Sequence, residues 1–97
     1  MLLIPVIVVD HFSKRVLMLA FTNVIGLRLS FVTSLAHYYS RARERVWLKG
    51  LISGNVHRIV QVSADCDSDS LLFSVVVGGG GDSCHTLRYS CFYKKLW

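Results

Sequence analysis

The order of apolar and polar positions along the chain predicts a small set of elements. Leu3 to Val9 is apolar and rich in β-branched residues, His11-Phe-Ser-Lys14 interrupts it, and Val16 to Phe21 is apolar again. Two such runs around a polar break predict a β-hairpin. Asn23 then offers an N-cap, and Val24, Leu27, Phe31 and Leu35 recur at spacings of 3, 4 and 4, one apolar helix face that ends near Ser34. Gly26 weakens that helix. His37 to Ser40 and Arg45 to Leu48 predict short strands around a turn, and Gly50 with Ser53-Gly-Asn55 marks a loop of the kind that often binds phosphate.

From Val56 onward Val60, Val62 and Ala64 alternate with Ile59, Gln61, Ser63 and Asp65, which predicts a long strand with one mostly apolar face. Arg58 breaks that pattern, and His57 reads as a structural mid-strand residue. Leu71 to Val77 predicts another strand, followed by the Gly78-Gly-Gly-Gly81 run that leads to Cys84 and His85. The fold class is α+β, mainly antiparallel sheet with one or two short helices, in a single domain over residues 1–97.

Charge narrows the partners only a little. Eleven Lys and Arg stand against six Asp and Glu, a formal charge of +5, and 53% of residues are hydrophobic, which excludes a disordered tail. A basic balance suits an anionic partner, whether nucleic acid, a phosphorylated small molecule or a membrane surface. Three cysteines cannot all pair within one chain, so a reduced, cytoplasmic protein is expected rather than a secreted disulfide framework. The apolar start lacks a basic segment before it and a small-residue cleavage site after it, so it reads as a strand and not a signal peptide. The longest uncharged run, Val16 to Leu27, is shorter than the roughly 20 residues a bilayer requires.

Three segments carry candidate chemistry. If Asp65-Cys-Asp-Ser-Asp69 continues the preceding strand, Asp65, Asp67 and Asp69 share one face and Cys66 points to the other. Crowded carboxylates suit a shared Mg²⁺, and a thiolate suits Zn²⁺. The alternative is a polar turn between two strands. Cys84 and Cys91, with Cys66, offer three thiolates, and an open fourth position would make such a zinc site catalytic. His85 is placed to move a proton beside it. Buried structural thiols are the competing reading. Finally, His37-Tyr-Tyr-Ser-Arg-Ala-Arg43 and Trp47-Leu-Lys-Gly50 mix aromatic faces with cations, which suits either a nucleotide or an RNA surface. A solvated strand edge with Trp47 half buried would contain the same residues.

Taken in order, Leu3-Ile-Pro5, Val16-Leu-Met-Leu-Ala20, His37-Tyr-Tyr-Ser-Arg41, Trp47 with Lys49-Gly50, Ser53-Gly-Asn55, Asp65-Cys-Asp67 with Asp69, Cys84-His-Thr86 and Ser90-Cys-Phe-Tyr93 closely resemble the phosphoribosyl-AMP cyclohydrolase family. The resemblance covers nearly the whole chain. It implies a hydrolase of histidine biosynthesis that opens the adenine ring of 1-(5-phosphoribosyl)-AMP at the N1–C6 bond by attack of metal-activated water. It also implies an intertwined homodimer, with zinc held by Cys66 of one subunit and Cys84 and Cys91 of the other. By the same resemblance Asp65, Asp67 and Asp69 match magnesium ligands and His85 the catalytic histidine. Arg41, Arg43, Trp47, Lys49, Ser53 and Asn55 are the candidate substrate contacts. The small-molecule substrate displaces nucleic acid and membrane as expected partners.

The chain departs from the family pattern at Leu48, at Leu51-Ile52 in place of Glu-Thr, at Ser34-Leu35 in place of Gly-Glu, at Leu87 in place of glycine, and in its four-glycine run. Those changes leave the expected metal ligands in place. They raise the alternative of a zinc-stapled dimer with the family fold and impaired catalysis.

Overall fold

A computed structural model of the chain describes residues 2–79 and 88–97. The elements follow as β1 (Ile4–Asp10), β2 (Val16–Thr22), α1 (Val24–Thr33), β3 (His37–Ser40), β4 (Arg45–Leu48), β5 (His57–Ala64) and β6 (Leu71–Val77). A four-stranded sheet has the order β2-β1-β6-β5, and β3 and β4 form a separate ribbon. Every pairing is antiparallel except β1 with β6. The α+β class and the mainly antiparallel sheet hold, with one helix among the described residues. None of their helices is long and apolar enough to cross a membrane.

The β1–β2 turn is closed by Asp10. Its carboxylate accepts from the backbone N–H of Ser13 at 2.7 Å and of Phe12 at 3.1 Å. Those donors hold the Asp10 carboxyl below its ordinary value, Ser13 contributing most. The core lies on one face of the sheet, where Val6, Val8, Leu17, Ala20, Phe73 and Val75 meet Ala36 and Tyr38.

The helix forms where its cap predicts, but only part of the expected face packs: Leu27 lies against the core and Leu35 is half-buried. Asn23 accepts from the Gly26 N–H at 2.8 Å, and Ser34 ends the helix in the left-handed region at φ 61°. That is a conformation glycine adopts without strain, and Ser34 is one of the positions where the resembled family commonly has glycine. Val24 and Phe31, expected to be buried, are exposed, while Gly26 and Ser30 are the buried residues. The physical reason is close approach. A Cβ at Gly26 would meet Thr22 Oγ1 and the His37 carbonyl. Ser30 Oγ donates to the Gly26 carbonyl and accepts from the His37 N–H, both at 2.8 Å. Small residues let the helix sit directly on β3, Leu27 packs against the core, and Val24, Phe31 and Val32 face outward.

In β5 the expected alternation is also broken. A register shift between Ile59 and Gln61 puts Ile59 opposite Val75 and Val62 opposite Phe73. Both pack against the core, and Val60 is exposed. One inserted residue in the ladder is a β-bulge, which moves side chains between faces. His57 stands at the first residue of β5 and not mid-strand.

Candidate active site

The wall of a broad cleft of about 1000 Å³ runs along β2, the β3–β4 ribbon and the loop that follows it. Arg41, Arg43, Trp47, Lys49, Ser53 and Asn55 all line it. The ribbon places them by register: Tyr38 pairs with Trp47 and Ser40 with Arg45 across β3 and β4. The guanidinium of Arg41 lies 4.3 Å from the Phe21 ring centroid, so β2 carries a cation–π seat for the first of these charges. Phe21 and its neighbours Met18 and Leu19 were not among the expected site residues. Their sequence reads as an ordinary strand, and nothing local to it signals that the ribbon closes over it.

The loop after β4 is tightly folded. Gly50 and Gly54 adopt φ of 83° and 81°, and the Gly54 N–H donates to the Gly50 carbonyl at 2.9 Å. A Cβ at Gly50 would run into the Asn55 and Val56 backbone. Asn55 is buried, and Gly79 approaches it so closely that a Cβ there would meet Asn55 Oδ1. The first half of the glycine run therefore packs against Ser53-Gly-Asn55 rather than serving only as a flexible connection. Leu51 and Ile52 stand out at the rim, exposed to solvent.

Beneath the cleft, Tyr38 and His57 are fully buried and hydrogen-bonded at 2.8 Å between the hydroxyl and Nδ1. Burial, then the charge of Lys49, pushes the His57 imidazole down to about 3, so it is neutral near pH 7. Burial pushes the Tyr38 phenol upward.

The acid segment is a turn, not a strand continuation. The Ser68 N–H donates to the Asp65 carbonyl at 2.8 Å, the Asp65 N–H to the Ser70 carbonyl at 2.9 Å, and Ser68 has φ 60°. The turn cancels the expected separation of Cys66 from the carboxylates. Ligand atoms of Asp65, Cys66 and Asp67 all lie within 4.8 Å of one another, and all three residues are exposed. The carboxyls crowd each other electrostatically. Hydrogen bonding with Asp67 and then Asp69 lowers the Asp65 carboxyl, and bonding to Asp65 and then Asp67 raises that of Asp69. The three carboxyls therefore interact closely enough to perturb one another.

Cys91 lies elsewhere. Its N–H donates to the Leu17 carbonyl at 2.7 Å, beside β2 at the far edge of the sheet from β5. Ser90 Oγ donates to the Val16 carbonyl at 2.7 Å and accepts from the Phe92 N–H at 3.0 Å, fixing the segment there. Cys66 sits on the β5–β6 connection, with β6 and β1 between it and β2. With strands about 4.8 Å apart, Cys66 and Cys91 of one chain stand on the order of 15 Å or more from each other. Cys84 and His85, together with Leu87 and residues 80–81, lie outside the described residues.

Residues 18–93 match the family model described as phosphoribosyl-AMP cyclohydrolase. A phosphoribosyl-AMP cyclohydrolase of Archaeoglobus fulgidus is 50% identical over 94 residues, which is 97% of this chain and 85% of that protein. Those of Nitrosospira multiformis and Brucella abortus are 48% and 46% identical over the same 97% of this chain, covering 72% and 79% of their own lengths. The chain belongs to the phosphoribosyl-AMP cyclohydrolase family.

Proposed function

We propose that this chain catalyses hydrolytic opening of the adenine ring of 1-(5-phosphoribosyl)-AMP at the N1–C6 bond, as a homodimer holding zinc and magnesium. The observation that carries the reading is the Asp65, Cys66 and Asp67 donor cluster in a chain of this family. Its donor chemistry fits the metals: carboxylates suit magnesium, and a thiolate suits zinc. Asp65, Asp67 and Asp69 are assigned to magnesium. By the family resemblance Cys66 of one protomer is assigned to zinc with Cys84 and Cys91 of the second, and the separation of Cys66 from Cys91 within one chain supports that division. When bound, the zinc supplies Lewis-acid activation of a water molecule near neutral pH.

The protein's own residues do the rest. Arg41, Arg43 and Lys49 bind the two phosphates as fixed cations. Trp47 stacks on the purine, and Ser53 and Asn55 hydrogen-bond the ligand from the loop. Phe21 supplies an apolar wall that keeps water off the base. His85 takes a proton from the attacking water as its oxygen bonds C6, and returns one to N1 as the N1–C6 bond breaks.

A second copy is supported by an uncovered apolar row on the sheet. Leu19, Ile7 and Leu72 stand in register on neighbouring strands, and each is exposed. An uncovered row of this kind marks an interaction face. Purified protein supplied with Zn²⁺ and Mg²⁺ is expected to convert phosphoribosyl-AMP to the ring-opened formimino product, with a change in ultraviolet absorbance. The metal-to-protein ratio is measured beside the assembly mass. A folded, zinc-loaded dimer without turnover would overturn the reading.

A further inference from the structure

The chemistry of ring opening makes no use of the Tyr38–His57 pair, yet the pair sits at the centre of the aromatic cluster behind the cleft. Tyr38 meets His57 edge-on at 6.0 Å and 77°, Phe73 in a stacked arrangement at 6.1 Å and 30°, and Trp47 at 5.7 Å and 59°. Phe73 clamps the plane of the Tyr38 ring through apolar contact. The hydrogen bond to His57 Nδ1 fixes its depth, because a buried hydroxyl loses more by leaving its partner than a ring loses by sliding.

Trp47 depends on that arrangement. It is the cross-strand partner of Tyr38 in a ribbon of two four-residue strands. A two-stranded ribbon this short has little stability of its own, so side-chain packing sets its pose. Trp47 is half-buried and also lines the cleft. Lys49, two residues further on, follows the same alternation, and its N–H donates to the Ala36 carbonyl at 3.2 Å.

We infer that Tyr38 and His57 form a positioning unit for ligand recognition, holding Trp47 as a preset stacking wall for a purine base with Lys49 beside it. The inference rests on the proposed assignment of the cleft to a purine nucleotide. It predicts that a single buried oxygen, bonded to His57 and not to the ligand, controls substrate affinity.

Tyr38→Phe removes that oxygen and keeps the ring. In a Trp97→Phe background Trp47 is the sole tryptophan, so its emission reports on its own surroundings. The expected result is a folded protein whose Trp47 emission shifts to the red and is more easily quenched by acrylamide. The KM for phosphoribosyl-AMP rises about three- to tenfold while kcat stays within about twofold, and AMP binds more weakly by a similar factor. His57→Gln, which keeps a hydrogen-bonding partner, retains most of the affinity, and His57→Leu matches Tyr38→Phe. Trp47→Ala weakens binding by itself, and adding Tyr38→Phe to it produces no further loss if Tyr38 acts through Trp47. Unchanged emission and unchanged KM in Tyr38→Phe would overturn the inference, as would fully additive losses in the double variant. A parent protein that binds AMP but does not turn over phosphoribosyl-AMP overturns the ring-opening assignment alone. The emission and AMP arms then decide this one.

Discussion

The cleft takes its wall from residues 18–55, and a single chain supplies every candidate contact in it from Arg41 to Asn55. The acid turn brings Asp65, Cys66 and Asp67 together at the opposite edge of the sheet from Cys91, so one chain supplies only part of the proposed zinc site. A cleft built from neighbouring segments is complete as soon as the protomer folds. A metal site divided between distant edges waits for a second copy. On the proposed assignments, ligand recognition and metal loading should therefore be separable by mutation.

The largest expected effect tests that separation directly. Cys66→Ser and Cys91→Ser should each abolish turnover and zinc retention as homodimers, while AMP still binds the cleft. Unfolded together and refolded, the two variants should regain about a quarter of wild-type activity: half the dimers are mixed, and one of the two sites in each is intact. No recovery on mixing would place all the ligands of a site in one chain and break the comparison.

Acid should weaken the fold through the buried His57 beneath the cleft. The imidazole of His57 sits near 3 in the fold against 6.5 ordinarily, with Tyr38 and Lys49 as its neighbours. The unfolded chain therefore binds the extra proton as pH falls below about 6.5, and stability declines toward about 3. The loss is on the order of 3 kcal/mol between pH 7 and pH 4, read by urea unfolding, and His57→Gln flattens it.

Gly50→Ala should cost about 1–3 kcal/mol and weaken AMP binding, since alanine at φ 83° meets the Asn55 backbone. Zinc retention should be unaffected, which denaturant titration and metal analysis together would check. Smallest of all, Leu51→Glu combined with Ile52→Thr should change stability by less than about 0.5 kcal/mol, because both side chains lie at the exposed rim. A large gain in kcat from that pair would instead favour a catalytically impaired protein.

Much of this was legible in the residues. The strand runs, the Asn23 cap and the Ser53-Gly-Asn55 loop are local signals, and local backbone preferences reproduce them at the expected positions. The helix face and the bulge in β5 were not legible. Hydrophobic spacing reports where large side chains recur, whereas α1 docks through Gly26 and Ser30 because close approach to β3 favours residues without bulk. At Val60 an inserted ladder residue reverses the side-chain alternation, and alternation in the sequence has no way to register it. The acid segment carried two readings. Strand continuation separates Cys66 from its neighbours and the turn unites them, and it is the hydrogen bonds of Asp65 with Ser68 and Ser70 that select the turn.

The sequence by itself determined the chemical types: crowded carboxylates, thiols, cations interleaved with aromatics, and an ordered set of motifs marking the family. Those follow from side-chain chemistry and short-range order along the chain. Only the tertiary structure decided that Phe21 seats Arg41, that Tyr38 and His57 lie bonded beneath Trp47, and that Cys66 and Cys91 lie toward opposite edges of the sheet. Those relations depend on strand order and register, which join residues far apart in the chain, and no local pattern of residues encodes the distance between two edges of a sheet.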